Sequence, residues 1–139
     1  MPATEFGSIP NIDLTFKNYG ASDIAANLVV LVDGSNVPPT KEPGGVVLPT
    51  ASGGVAGTLG ITVETIKAGG VGRVRVAGVC SVKANGAVTY GQLLQASDTT
   101  AKLGWVKTCG AATRQIGLAL ATASDGEPVP VLIAHAANA

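Results

Sequence analysis

Side chains that carry chemistry are scarce in this chain of 139 residues. It has one histidine, His135, and two cysteines, Cys80 and Cys109. A lone imidazole with no cysteine near it in sequence does not make a transition-metal site. Two distant cysteines provide neither a disulfide framework nor a zinc pattern, so buried free thiols are expected. His135 reads as structural or solvent-facing. No Gly-x-Ser-x-Gly elbow occurs, which removes the usual setting for a serine nucleophile. Glycines are plentiful but wrongly spaced for nucleotides. The dinucleotide fingerprint and the Gly-x-x-x-x-Gly-Lys loop are both absent, and Gly69-Gly70-Val71-Gly72 reads as a link between strands rather than the start of a helix.

Other shortages exclude other partners. Nine Lys and Arg balance nine Asp and Glu, for a formal net charge of zero. No block of one sign is present to follow a phosphate backbone or an anionic bilayer. The longest run of large apolar residues, Leu28 to Val32, is far short of the roughly 20 needed to cross a membrane as a helix. The first residues, Met1-Pro2-Ala3-Thr4-Glu5, lack the basic and apolar pattern of a secretory signal. Tyr19, Tyr90 and Trp105 are too scattered for a base- or sugar-stacking platform. Asp125 and Glu127 flank a turn glycine and read as a solvated hairpin tip rather than an acid/base pair. No loop gathers enough oxygens for calcium. The chain is therefore expected to be no enzyme, with no cofactor, no metal and no small-molecule substrate, and with neither nucleic acid nor membrane as partner.

What is abundant is small and β-branched. Ala, Gly, Val and Thr supply 70 of the residues, and Val and Thr favour strands. Ile, Leu, Val and Phe together number 37, enough for one domain with a core, since they exceed the roughly 20% below which chains stay disordered. A mean hydropathy of +0.38 with no net charge makes a poorly soluble monomer. Surface hidden in an assembly is the expectation.

Periodicity gives the organisation. Residues 1–20 read as an arm in which Ile12, Leu14 and Phe16 alternate with polar residues, the pattern of a strand with one apolar face. That face is covered either by the chain's own sheet or by a neighbouring subunit. Ser22 to Asn27 reads as one helical turn capped by Ser22, and Leu28 to Val32 as a buried strand. Between Gly34 and Gly57, 10 of 24 residues are Gly or Pro, a loop insertion suited to subunit contacts, with Val46-Val47-Leu48 as a short strand inside it. From Thr58 the strands become regular, with Leu59, Ile61 and Val63 on one face. Val74 and Val76 alternate with Arg73 and Arg75, which read either as a solvated face or as a contact for an acidic partner surface. Asn85-Gly86 marks a tight hairpin leading into a strand at Val88-Thr89-Tyr90. Leu103 to Lys107 is a strand bearing Trp105 as a core or interface anchor. Gln115 to Ala123 alternates large with small residues, as inside a small barrel. Pro130 assigns the last run, Val129 to His135, to an edge or a strand start. Many short strands with Gly-rich turns point to a barrel or sandwich.

Four segments in order carry a family resemblance. Gly78-Val79 closes a Gly/Val-rich strand, and Ala84-Asn85-Gly86-Ala87-Val88-Thr89-Tyr90-Gly91-Gln92-Leu93-Leu94 follows it. Then come Gln115-Ile116-Gly117-Leu118-Ala119-Leu120-Ala121 and Gly126-Glu127-Pro128-Val129-Pro130-Val131-Leu132-Ile133. Together, from Gly54 to Ile133, the chain resembles the small capsid decoration or cement proteins of tailed bacteriophages.

The resemblance implies a virion protein made in the host cytoplasm. It would bind the outer face of the capsid as a homotrimer and reinforce the joints between major capsid proteins. The corresponding fold is all-β: a small Greek-key-like or tulip-like β-barrel or sandwich, with residues 1–20 as an extended arm and 21–139 as one domain carrying the 34–57 loop. Phe6, Ile9, Ile12, Leu14 and Phe16 are the expected contacts of the arm with capsid or neighbouring subunit, and Arg73, Arg75 and Trp105 a further interface. Rival readings are another β-rich virion subunit, from a tail tube or head-completion ring, and a carbohydrate-binding β-module.

Overall fold

The computed structural model describes residues 10–50, 58–110 and 114–137. Nine strands follow in chain order: β1 (Ile12–Lys17), β2 (Val29–Val32), β3 (Val46–Val47), β4 (Thr58–Thr62), β5 (Val71–Lys83), β6 (Leu93–Ala96), β7 (Val106–Thr108), β8 (Arg114–Ala119) and β9 (Pro128–Ala137). They form one sheet in the order β3-β2-β4-β5-β9-β8-β6-β7, with β1 also paired to β5. The sheet curls into a half-barrel. A single 3-10 turn, Thr100–Lys102, is the only helical element among the described residues. The fold is all-β, as composition and periodicity predict.

The long strand β5 organises the rest. Its even-numbered residues Gly72, Val74, Gly78, Cys80 and Val82 are buried, while Arg73, Ser81 and Lys83 on the other face are not. Midway lies Gly78 at φ +106, where an added Cβ would strike Asn11. Before it, β5 pairs with β1 and β4; from it onward, β5 pairs with β9. One strand thus ends the first half of the molecule and begins the second.

The two halves have the same wiring. In the first, β2 pairs with β3 and β4, and β4 with β5; in the second, β6 pairs with β7 and β8, and β8 with β9. Ile24 bridges Ile66 in the first, and Val88 bridges Ala123 in the second. The turn after Ile24 holds Asn27 at φ 63, and the turn after Val88 holds Gly91 at φ 85; likewise Gly69 at φ 75 matches Gly126 at φ 83. Gly60 and Gly117 match as well, since a Cβ on either would collide with a carbonyl oxygen of the next strand, that of Arg75 or that of Leu132.

Two apolar clusters form. The larger joins the halves: Val29 and Ile61 of the first pack with Cys80, Val82, Leu94, Ile116, Val131 and Ile133 of the second. The smaller, Ile24, Val30, Val46, Ile66 and Val74, lies within the first half, with Phe16, Leu28, Leu48, Leu59 and Val76 packed on it.

Several local expectations are corrected. Ser22 to Asn27 forms no helical turn, because Ile24 exchanges both backbone hydrogen bonds with Ile66 at 2.8 and 2.9 Å. Asn85-Gly86 closes no hairpin. Instead the Asn85 N–H donates to the Val106 carbonyl at 2.7 Å and its side chain to Ser97 and Thr99, so β5 finds β9 as its partner. Val88 makes a single bridge, and Tyr90-Gly91 is a turn rather than a strand. Leu59 is skipped in the β2–β4 register and packs on the smaller cluster, while Ile61 and Val63 serve the larger one. The last strand is central, between β5 and β9's other neighbour β8. Pro130 is accommodated there because its carbonyl accepts from Leu120, one residue past the end of β8. The absent N–H therefore faces a strand end.

Candidate functional site

The junction between the halves is a concave part of the surface. Three adjoining depressions of about 470, 230 and 410 Å³ all include Asn27 in their walls. They form a trough along the outer face of β5. At one end stand Val63, Arg73, Arg75 and Val79; at the other, Lys83, Leu103 and Trp105. The three residues Arg73, Arg75 and Trp105, far apart in sequence, line one continuous surface. Asn27 spans it: its left-handed backbone aims the side-chain amide at the Ser81 carbonyl, 2.9 Å away. Asn tolerates that backbone region better than most residues.

The cations in the trough have partners. Arg75 makes a bidentate contact to Asp13 of β1, at 2.8 and 3.2 Å, and also donates to the Val79 carbonyl. That hydrogen-bonded pair holds the Asp13 carboxyl below its ordinary pKa and raises that of Arg75. Arg73 lies 3.2 Å from Glu64, whose pKa is lowered first by the Arg73 backbone N–H and then by its side chain. Lys83 and Lys102 place their ammonium groups 5.3 and 5.4 Å from the centre of the Trp105 ring, one cation–π contact each. Trp105 is half-buried, so the indole anchors charge while part of it remains accessible.

Little in this arrangement can move protons or electrons. Burial pushes the Cys80 thiol up, against thiolate formation. The carboxyl groups whose pKa shifts, on Asp13, Glu64, Asp98 and Asp125, are all lowered, the opposite of a poised general acid. Asp125 accepts from the Gly86 N–H and from Lys102 at the tip of its turn. No cluster of three potential metal ligands exists among the described residues. Cys109 is half-buried rather than buried as the sequence implied.

Of the arm residues, Phe6 and Ile9 lie outside the described residues. Ile12, Leu14 and Phe16 are on β1, which pairs with β5 of the same chain. Only Phe16 is drawn towards the smaller core; Ile12 and Leu14 are 50% and 47% exposed. The described part of the 34–57 loop is tied to this region by Lys17 N–H to the Gly44 carbonyl and by the Tyr19 hydroxyl to the Pro43 carbonyl. Sequence reasoning missed Asn27 and Lys83. The available signal was an asparagine directly before an apolar run, the usual mark of a turn.

Residues 10–133 match the family model described as phage cement protein. The chain belongs to the phage cement protein family. It is accordingly a capsid-associated structural protein of a phage virion. Among solved structures, it is similar to the N base of head fiber gp8.5 of bacteriophage phi29, with 15% identity and a TM-score of 0.59. That alignment covers 90% of this chain and 95% of the other, and at such low identity it speaks for the fold. No curated protein matches the chain.

Proposed function

We propose that this cement protein binds the outer surface of the capsid across joints between major capsid proteins and holds them together without chemistry. The family match over residues 10–133 carries the reading. The trough supplies its contact surface: paired guanidinium groups at one end, and at the other a half-buried tryptophan flanked by two lysines. An aromatic and Arg-rich patch is the composition of interface hot spots. Because Arg73 and Arg75 already hold Glu64 and Asp13, the fitting partner surface is polar and shape-matched rather than strongly acidic. Many identical weak contacts, one set per joint, add up through avidity to a reinforced shell.

The test is addition of purified protein to undecorated heads, with occupancy read from density on the outer face and the heads then challenged by heat. Bound protein astride the joints and a higher disruption temperature are the expected results. Trp105→Ala lowers affinity at least about tenfold, as loss of a hot spot does. Heads that bind no protein, or bind it away from the joints, overturn the reading.

A further inference from the structure

The two halves treat one face of the sheet differently, and the difference identifies a partner. In the first half, Val29 opposes Ile61 and Ile61 opposes Arg75. In the second, Leu93 opposes Leu118 and Leu118 opposes Leu132. Val63 and Leu120 follow, each three residues before the bridging residue Ile66 or Ala123. The apolar centre of the first row is sealed: Val29 and Ile61 are fully buried, and Val63, at the wall of the trough, packs against the larger cluster. The second row, with Leu132 where the first has Arg75, is more apolar and is open at both ends: Leu93 and Leu120 are 40% and 44% exposed and Leu118 is half-buried between them.

What seals the first row is the inner face of the second half, where Cys80, Ile116 and Ile133 are buried in the same cluster and β4 lies against β8. The first half has its own residues in those three places. Leu14 opposes Val74 as Cys80 opposes Val131. Leu59 precedes Gly60 as Ile116 precedes Gly117, and Val76 stands two residues beyond Val74 as Ile133 does beyond Val131. These residues are incompletely covered: Leu14 is 47% exposed, and Leu59 and Val76 are half-buried beside the smaller cluster. Each chain therefore contains both sides of this joint twice, once joined internally and once left open as a row and a seat.

We propose that the chain associates head to tail with a second copy of itself, seating Leu93, Leu118 and Leu120 of one copy on Leu14, Leu59 and Val76 of the next. The row and the seat are different patches, so the contact is heterologous; it propagates until a ring closes or a filament forms. Zero net charge removes long-range repulsion between copies.

Sedimentation velocity on the full chain, from about 1 to about 100 μM, a range that brackets a moderate affinity, tests this without any capsid present. The outcome is therefore independent of head binding. The wild type is expected to sediment above the monomer mass. Leu118→Lys spoils the row and Leu14→Asp spoils the seat, so each variant alone is monomeric. Mixed in equal amounts, they form a dimer through the one intact row and the one intact seat. Circular dichroism and thermal melting verify that each variant folds, and Leu120→Lys replaces Leu118→Lys if that variant does not. A wild type that stays monomeric overturns the proposal. So does a mixture that stays monomeric, or loss of association in only one of the two variants, which marks a contact between identical patches.

Discussion

The first and second halves of this protein share a ladder of strands, a pair of bridges and two left-handed turns, yet bury different surfaces. Val29 and Ile61 are sealed inside the joint between halves, whereas in the same places of the second half Leu93 is exposed and Leu118 only half-buried. Asp13 and Arg75 form an ion pair at the positions where the second half has Val79 and Leu132. Register and turn geometry repeat because the backbone must satisfy its hydrogen bonds in both halves. Side-chain chemistry is free to diverge wherever one copy is covered and the other is not. Exposed leucines on a neutral chain thus follow from architecture: a curled sheet built of two like units leaves one apolar row at one end and one seat at the other.

The largest effect that probes this comparison is at the sealed row. Ile61→Ala removes a fully buried side chain from the joint and is expected to cost about 2–5 kcal/mol. Its counterpart Leu118→Ala, at a half-buried outer position, is expected to cost less than about 1 kcal/mol in dilute monomer. Urea midpoints at low protein concentration give both numbers. Equal costs would mean that the second row is sealed as firmly as the first, and the contrast between halves would fail.

A smaller and symmetrical effect is expected at the paired glycines. Any Cβ at Gly60 or Gly117 meets a neighbouring strand's carbonyl oxygen, so backbone must shift in either half. Gly60→Ala and Gly117→Ala should each destabilise by about 1–3 kcal/mol, the range for forced overpacking. Similar losses sharpen the equivalence of the halves; a loss at one position only breaks it.

The repeat itself was not legible in the sequence, for a physical reason. Ile24 corresponds to Val88 and Ile66 to Ala123, but what repeats is a pair of backbone hydrogen bonds, which any of these residues can make. Asn27 and Gly91 share a positive φ without sharing a side chain. The class of the fold was legible, because alternation in Val71 to Lys83 and the turn glycines report directly on strands and turns. Long-range pairing was not. Asn85-Gly86 has the local signature of a hairpin, and it fails because Asn85 spends its donors on Val106, Ser97 and Thr99. Pro130 misleads in the same way: proline is excluded only where its missing donor would face a paired carbonyl. Arg73, Arg75 and Trp105 could be singled out from sequence as surface candidates. That they line one trough depends on β5 carrying the two arginines past Asn27 to Lys83, a matter of register that periodicity does not give.

The finest probe of the comparison is acidity, because only the first half uses an ion pair in this row. The Asp13 carboxyl is held below its ordinary value by its hydrogen bonds from Arg75. A carboxyl whose folded pKa is depressed adds stability above its unfolded value, near about pH 3.9. That stability is lost as pH falls from there through the folded value, since the unfolded chain takes up the proton first. Attachment of β1 to β5 should therefore weaken below about pH 4, while the β9 side of β5, where Val79 and Leu132 do not titrate, keeps its ladder. Glu64, Asp98 and Asp125 are lowered too, so global acid unfolding cannot isolate the effect. Hydrogen exchange of β1 amides, compared with β9 amides in the same sample, does. Asp13→Asn is expected to cost about 1–2 kcal/mol near neutrality, the scale of a charge-assisted hydrogen bond, and nothing once Asp13 is protonated. If β1 and β9 amides lose protection together in the wild type, or if Asp13→Asn costs as much in acid as at neutrality, β1 is held by its apolar face alone. The two halves would then be fastened to β5 by the same forces.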